Sequence, residues 1–185
     1  MDFHSFSHSQ MHSKIWLSEL IEPYLQPKSK ICILGCWHNV MGIILMVRNP
    51  HNGYIIKGID IDEEAIKIAD NLTTAWRYEE FNPFNNELAD ADTYDYSHYD
   101  AIINCSVEHM TTNSWFSRIP KGKLVCIQSM SLNILNDEIY KIKNPNPSIE
   151  VFTSKFPLDK VLYLGEKRFD YELNPFSRYC LIGYK

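Results

Sequence analysis

Three short stretches carry side chains that could do chemistry. The first is Lys57-Gly58-Ile59-Asp60-Ile61-Asp62, an apolar run that ends on carboxylates. A carboxylate at the carboxyl end of a parallel strand has a fixed direction and two oxygens, enough to accept from two neighbouring hydroxyls of a ligand. Asp60 therefore either binds such a ligand or opens the turn before a helix capped by Asp62. The second stretch is Lys30 to Gly42, KICILGCWHNVMG, where the apolar run Ile31 to Leu34 meets Gly35 as a buried strand does when the chain must turn sharply under a cofactor. The residues that follow, Cys36, Trp37, His38 and Asn39, are unusual for such a turn, although Asn tolerates positive φ better than most residues. The third stretch, Tyr99 to Glu108 (YDAIINCSVE), runs into Glu108 and His109, candidates for a general base or for orienting a substrate, since His titrates near neutral pH. A helix-start Glu and a surface His account for the pair equally well. His4, His8 and His12 are spaced by four and would align on a helix as metal ligands, but histidines near a chain end are more often solvated, and no metal site is expected.

Bulk properties narrow the setting of these residues. The 185 residues suit one domain, and 45% apolar with 22% charged residues is a globular composition. A formal charge of −5 gives no footprint for a phosphate backbone, so nucleic acid is unsupported as a partner. The five cysteines, Cys32, Cys36, Cys105, Cys126 and Cys180, mostly lie in apolar runs and read as reduced, buried thiols. The polar, His-containing start MDFHSFSHSQMHSK lacks a signal-peptide core, and no stretch approaches the ~20 apolar residues of a membrane span; a cytoplasmic protein is expected. No signal for oligomeric state is present.

The elements that must position the chemistry follow from periodicity. Ser13 to Leu25 reads as an amphipathic helix, Lys30 to Leu34 as a strand, Val40 to Val47 as a short helix and Tyr54 to Ile59 as a second strand. Asp62 then caps a helix whose first turn carries Glu63 and Glu64. Arg77 to Phe81 is expected as a third strand, followed by a polar, acidic connection from Asn82 to His98. Tyr99 to Cys105 is a fourth strand, Val107 to Phe116 a helix, Lys123 to Gln128 a fifth strand, and Ser129 to Ser148 the least ordered region. Ile149 to Phe156 reads as a helix, and Lys160 to Leu164 and Arg178 to Tyr184 as closing strands without a helical crossover, hence an antiparallel hairpin on a mostly parallel, helix-covered sheet. Residues 1–28 form an N-terminal segment with a cap helix, and 29–185 the main body, within one domain overall.

This order of elements, together with KGIDID, YDAIINCSVE and the glycine after the first strand, resembles class I S-adenosylmethionine (SAM) dependent methyltransferases. The resemblance implies an α/β three-layer sandwich with a seven-stranded, mostly parallel Rossmann-like sheet ending in an antiparallel hairpin. It also implies SAM as cofactor. Asp60 would accept from both ribose hydroxyls and Ile61 would pack on adenine. The backbone of Gly35, Cys36 and Trp37 would approach the cofactor, although the family's G-x-G-x-G is here Gly35, Trp37 and Asn39, and the usual acidic residue before it is replaced by Ile33 and Leu34. Asn104 and Ser106 would face the methionine part of SAM, and Gln10 and Lys14, in the segment that leads into the first helix, would bind its carboxylate.

The activity implied is in-line methyl transfer to a small-molecule or protein acceptor, with Glu108 and His109 as the catalytic candidates. The N-P-P-Y-like motif of DNA amino methyltransferases is replaced by Asn104-Cys105-Ser106-Val107, and Cys105 follows Asn rather than the Pro of cytosine enzymes. Other readings are a different SAM-using enzyme (aminopropyl or aminocarboxypropyl transfer, or SAM cleavage), or an inactive domain serving as a binding partner, which Trp37 makes reasonable. An NAD-linked oxidoreductase lacks its G-x-G-x-x-G. The segment 7–14 with L-G-C-W and N-C-S-V-E-H is similar to small methyltransferase-like proteins of bacterial viruses.

Overall fold

A computed structural model of the chain describes residues 3–78, 81–131, 142–170 and 175–185, with side chains from Ser5 onward. Seven strands form one sheet: β1 (Lys30–Leu34), β2 (Ile55–Asp60), β3 (Phe84–Leu88), β4 (Ala101–Asn104), β5 (Leu124–Met130), β6 (Lys160–Phe169) and β7 (Phe176–Tyr184). Their order is β3-β2-β1-β4-β5-β7-β6, with β1 to β5 parallel and β7 antiparallel between β5 and β6. The chain starts in the middle at β1, builds outward to β3, and then returns to the other side of β1 as β4. Such a reversal opens a crevice at the carboxyl ends of β1 and β4, where open parallel sheets receive ligands.

Strand β1 is apolar from Ile31 to Leu34 because both of its faces are covered there. Ile31 and Ile33 enter one core layer, with Leu17 and Ile21 of α1 (His8–Ile21) and Met41 and Leu45 of α2 (Val40–Arg48). Cys32 and Leu34 enter the other, with Trp115 of α4 (Ser114–Arg118) and Phe152 of α5 (Ile149–Ser154). One strand thus feeds two layers through its period of two. Between β2 and β3, helix α3 (Glu63–Thr73) begins as expected at Asp62, whose Oδ1 accepts from the Glu64 and Ala65 amides at 2.9 and 3.3 Å. Asp62→Ala should cost about 1 kcal/mol, read as a lowered urea midpoint at constant slope.

Several boundaries differ from the sequence expectation. The third strand is Phe84–Leu88, within the stretch read as a connection, and not Arg77 to Phe81. There Tyr78 and Phe81 exchange backbone hydrogen bonds, and their rings are exposed. An edge strand exposes one side, so FNNEL needs no apolar run and gave little signal. The helix expected over Val107 to Phe116 is split into a 3-10 turn at Val107–His109 and α4, because Thr111, Thr112 and Asn113 favour local side-chain bonds over a helix interior. Helix α1 begins earlier, at His8, and the closing hairpin is longer at its turn end, where Phe169 pairs with Phe176. Half of the region read as least ordered, residues 132–141, lies outside the described residues.

Candidate functional site

Gly35, Trp37 and Asn39 all adopt left-handed backbone, with φ of 54°, 50° and 52°. The loop after β1 therefore takes a glycine-rich path, although only one of the three is glycine. For Trp37 this conformation costs roughly 1–2 kcal/mol, a strain that the surroundings must hold in place. They do so through Asp60. Its Oδ2 accepts from the Trp37 amide at 2.8 Å, its Oδ1 accepts from the Asp62 amide at 3.0 Å, and the Cys36 amide donates to the Ile59 carbonyl at 3.0 Å. Asp60 thus turns toward the β1 loop, and its oxygens keep acceptor capacity for two more donors.

Asn39 completes the loop from beneath. It is fully buried, and its Nδ2 donates to Asn86 Oδ1 at 2.7 Å, while its own Oδ1 has no partner. The two amides lie over Gly58, where an added Cβ would come within 2.7 Å of Asn86 Oδ1, 2.8 Å of Asn39 Nδ2 and 2.9 Å of Cys36 Sγ. At Gly35 a Cβ would come within 2.9 Å of Ser106 Cβ on the loop after β4, as well as being strained at positive φ. Gly35→Ala should lower stability by roughly 2 kcal/mol, measured by urea denaturation.

Two exposed apolar side chains sit beyond Asp60. Ile61 is 73% and Leu88 53% exposed. Leu88 is the β3 neighbour of Asp60, and the Ala89 amide donates to the Asp60 carbonyl at 2.9 Å, so the carboxyl ends of β2 and β3 present an apolar shelf beside a carboxylate. Leu88 was missed in the sequence because the third strand was placed too early.

Across the crevice, Ser106 Oγ donates to the Gly35 carbonyl at 2.9 Å, tying the two loops together. Asn104 is fully buried, and its side chain serves the turn: Oδ1 accepts from the Ser106 amide and Nδ2 lies 3.3 Å from Met110 Sδ. Glu108 is 1% exposed, and its Oε1 accepts from Arg178 Nη1 of β7 at 2.9 Å. Its carboxylate sits behind the crevice rather than in it. His109 stands at the rim, with Nε2 3.9 Å from Glu108 Oε1.

These elements close over a cavity of about 50 Å³ lined by Gln10 and Lys14 of α1, the loop Gly35 to His38, and Cys105, Ser106 and His109. Its roof is fastened by a buried bond of 2.8 Å between Ser5 Oγ and His38 Nδ1. Lys14 Nζ donates to Gln10 Oε1 at 2.6 Å, and desolvation lowers its pKa to about 8. Burial pushes the Cys105 thiol up to about 12, which leaves it inert as a nucleophile. Of the sequence candidates, Gln10, Lys14, Gly35, Cys36, Trp37, Ser106 and His109 meet at this cavity, Asp60 joins through the Trp37 amide, and Ile61 flanks it from outside. His8 and His12 bring their rings to 3.9 Å, but no group of three metal-binding side chains occurs among the described residues. The His4 side chain lies outside them.

No protein-family profile matches this sequence, and neither does any curated protein. Solved structures do match the fold. A protein designated a sarcosine dimethylglycine methyltransferase from Galdieria sulphuraria superposes with a TM-score of 0.69 at 12% identity, over 95% of this chain and 86% of the other. Coclaurine N-methyltransferase bound to N-methylheliamine and S-adenosylhomocysteine (SAH) matches with a TM-score of 0.66 at 12% identity, over 94% and 73%. The N-methyltransferase NodS from Bradyrhizobium japonicum WM9 matches with a TM-score of 0.62 at 12% identity over the full length of both chains. The chain therefore has the Rossmann-like fold of class I SAM-dependent methyltransferases. No helix among the described residues is long and apolar enough to cross a membrane.

Proposed function

We propose that this protein is a SAM-dependent methyltransferase acting on a small-molecule or protein acceptor. The observation that carries the reading is Asp60, a carboxylate at the carboxyl end of β2 held against a left-handed loop by the Trp37 amide, with exposed Ile61 and Leu88 beside it. These residues fit the cofactor: a carboxylate with acceptor capacity for two ribose hydroxyls, an apolar shelf for adenine, and backbone that approaches closely without a glycine at every turn. Gln10, Lys14 and the backbone around Asn104 and Ser106 receive the methionine end. When bound, SAM supplies a methyl group on a positively charged sulfur.

What the chain adds is position, worth roughly 7 to 11 kcal/mol when the acceptor is held in line with the methyl carbon. His109 takes the acceptor's proton where one must leave, and Glu108 orients it from behind while paired to Arg178. The Ser5–His38 bond holds the segment ahead of α1 beside the cavity of about 50 Å³ that would receive the methionine end.

Calorimetry with SAM and SAH tests the reading. Micromolar binding is expected, and no binding of either would remove it. Chromatography of the products then separates SAH, the mark of methyl transfer, from methylthioadenosine, the mark of another SAM-using enzyme. A fold-neutral probe is Ile61→Asp, which puts a charge on the exposed shelf and should weaken SAH binding by about tenfold.

A further inference from the structure

Asn39 reaches Asn86 across a whole strand. Asn39 follows β1 and Asn86 lies on β3, with β2 between them, yet their amides meet at 2.7 Å because Gly58, the β2 neighbour of Asn86, puts no side chain in the way. Asn86 shares a face of β3 with Phe84 and Leu88, since alternate residues of a strand point the same way. Phe84 is buried in the core and Leu88 forms part of the apolar shelf, so packing alone would place a third apolar side chain between them. An amide stands there instead.

The groups around that amide fix which way it faces. Asn86 Nδ2 donates to Asp70 Oδ1 at 3.1 Å and to Thr73 Oγ1 at 3.2 Å, both on α3. A carboxylate only accepts, and the Thr73 hydroxyl already donates to the Ala69 carbonyl at 2.9 Å, so both receive the nitrogen end of Asn86. Its oxygen then faces the loop after β1, where it accepts from the fully buried Asn39. Asn39 Oδ1 has no partner, so loss of the Asn86 oxygen would leave both ends of a buried amide unpaired, in a residue whose own backbone is left-handed. The loop would relieve that cost by leaving its path.

We propose that Asn86 is a positioning residue for the cofactor: through Asn39 it holds the loop after β1 in the left-handed path that brings backbone to the ligand. This rests on the methyltransferase reading above. Asp60 fastens the loop at the Trp37 amide and Asn86 fastens it at Asn39, and α3, which starts just after Asp60 and carries Asp70 and Thr73, braces both. Asn86 acts without touching SAM. It sets how much of the free protein has the loop ready, and affinity falls by the same factor as that fraction.

The test is calorimetry with SAH, beside thermal melts, on Asn86→Leu, Asn86→Asp and Ser148→Ala. Asn86→Leu keeps the branched shape and removes the acceptor, so SAH should bind about tenfold more weakly, as when about a tenth of the molecules keep the loop in place. Asn86→Asp keeps an oxygen for Asn39 but sets a second carboxylate against Asp70, so the melting temperature should fall while affinity stays within about threefold of wild type. Ser148→Ala removes the cap of α5, whose hydroxyl oxygen accepts from the Val151 amide at 3.3 Å, and lowers stability away from the loop, so its SAH affinity should match wild type. Wild-type affinity in Asn86→Leu overturns the proposal. So does a loss in Asn86→Asp or in Ser148→Ala equal to that of the leucine variant, because binding would then follow stability alone. Should Asn86→Leu not fold, Asn86→Ala takes its place with the same expectation and the same overturning result. If the wild type itself binds no SAH, the methyltransferase reading falls and the proposal with it, whereas wild-type binding that Asn86→Leu leaves intact removes the proposal alone.

Discussion

Asp60→Ala should weaken SAH binding by at least about 100-fold, a loss of roughly 3 kcal/mol in calorimetry. Two ribose hydroxyls would lose their charged acceptor, and each such bond contributes on the order of 1.5–3 kcal/mol, part of which water recovers. A second effect acts through the loop. Without the carboxylate the Trp37 amide loses its acceptor, and the left-handed backbone of a tryptophan is held less firmly against its own preference. Asp60→Asn separates the two contributions. It keeps one oxygen for the Trp37 amide but cannot accept from both hydroxyls, so it should fall between the wild type and alanine, near tenfold by a rough count of the bonds lost. Thermal melts should show both variants folded, since Asp60 is only half-buried and its two amide partners can turn to water. Binding by Asp60→Ala equal to wild type would leave the crevice without its anchor.

Glu108→Ala should be the most destabilising single change proposed here, by about 3–5 kcal/mol in urea denaturation with the slope retained. Removal of the carboxylate strands Arg178 at 2% exposure with no counter-charge. It also leaves a gap next to the backbone carbonyl of Glu108, which accepts from the Lys143 and Asn144 amides at 2.8 and 3.0 Å. The double variant Glu108→Gln/Arg178→Met removes both charges and keeps the volume, so it should recover most of the loss. If Glu108 were a solvent-facing base, alanine would cost little stability, and urea denaturation separates the two cases directly.

These two residues also show how much of the site was legible in the sequence. Asp60 was legible because its signal is local: an apolar run that stops on a carboxylate just before a capped helix. The same is true of Gly35, where β1 stops. Glu108 was legible as a residue of interest but not in its setting, because its partner is 70 positions away on a strand of opposite direction, and no local pattern announces that pairing. The conformation of Trp37 was hidden for another reason. Positive φ is expected of glycine and asparagine, and tryptophan carries no such signal, so only the placement of its amide against Asp60 reveals it. The fold was read from its centre outward. Buried parallel strands announce themselves as unbroken apolar runs, whereas β3, with alternate residues in solvent, reads as a polar connection.

The bareness of Gly58 has a consequence for anyone redesigning the loop after β1. The space that a side chain at 58 would take is filled by the Asn39–Asn86 amide pair and Cys36 Sγ. Restoring glycine at position 39 alone would hollow out that spot and leave Asn86 without its donor. A workable graft has to change Asn39 and Asn86 together and leave Gly58 bare, because a Cβ there would still come within 2.7 Å of Asn86 Oδ1 and 2.9 Å of Cys36 Sγ.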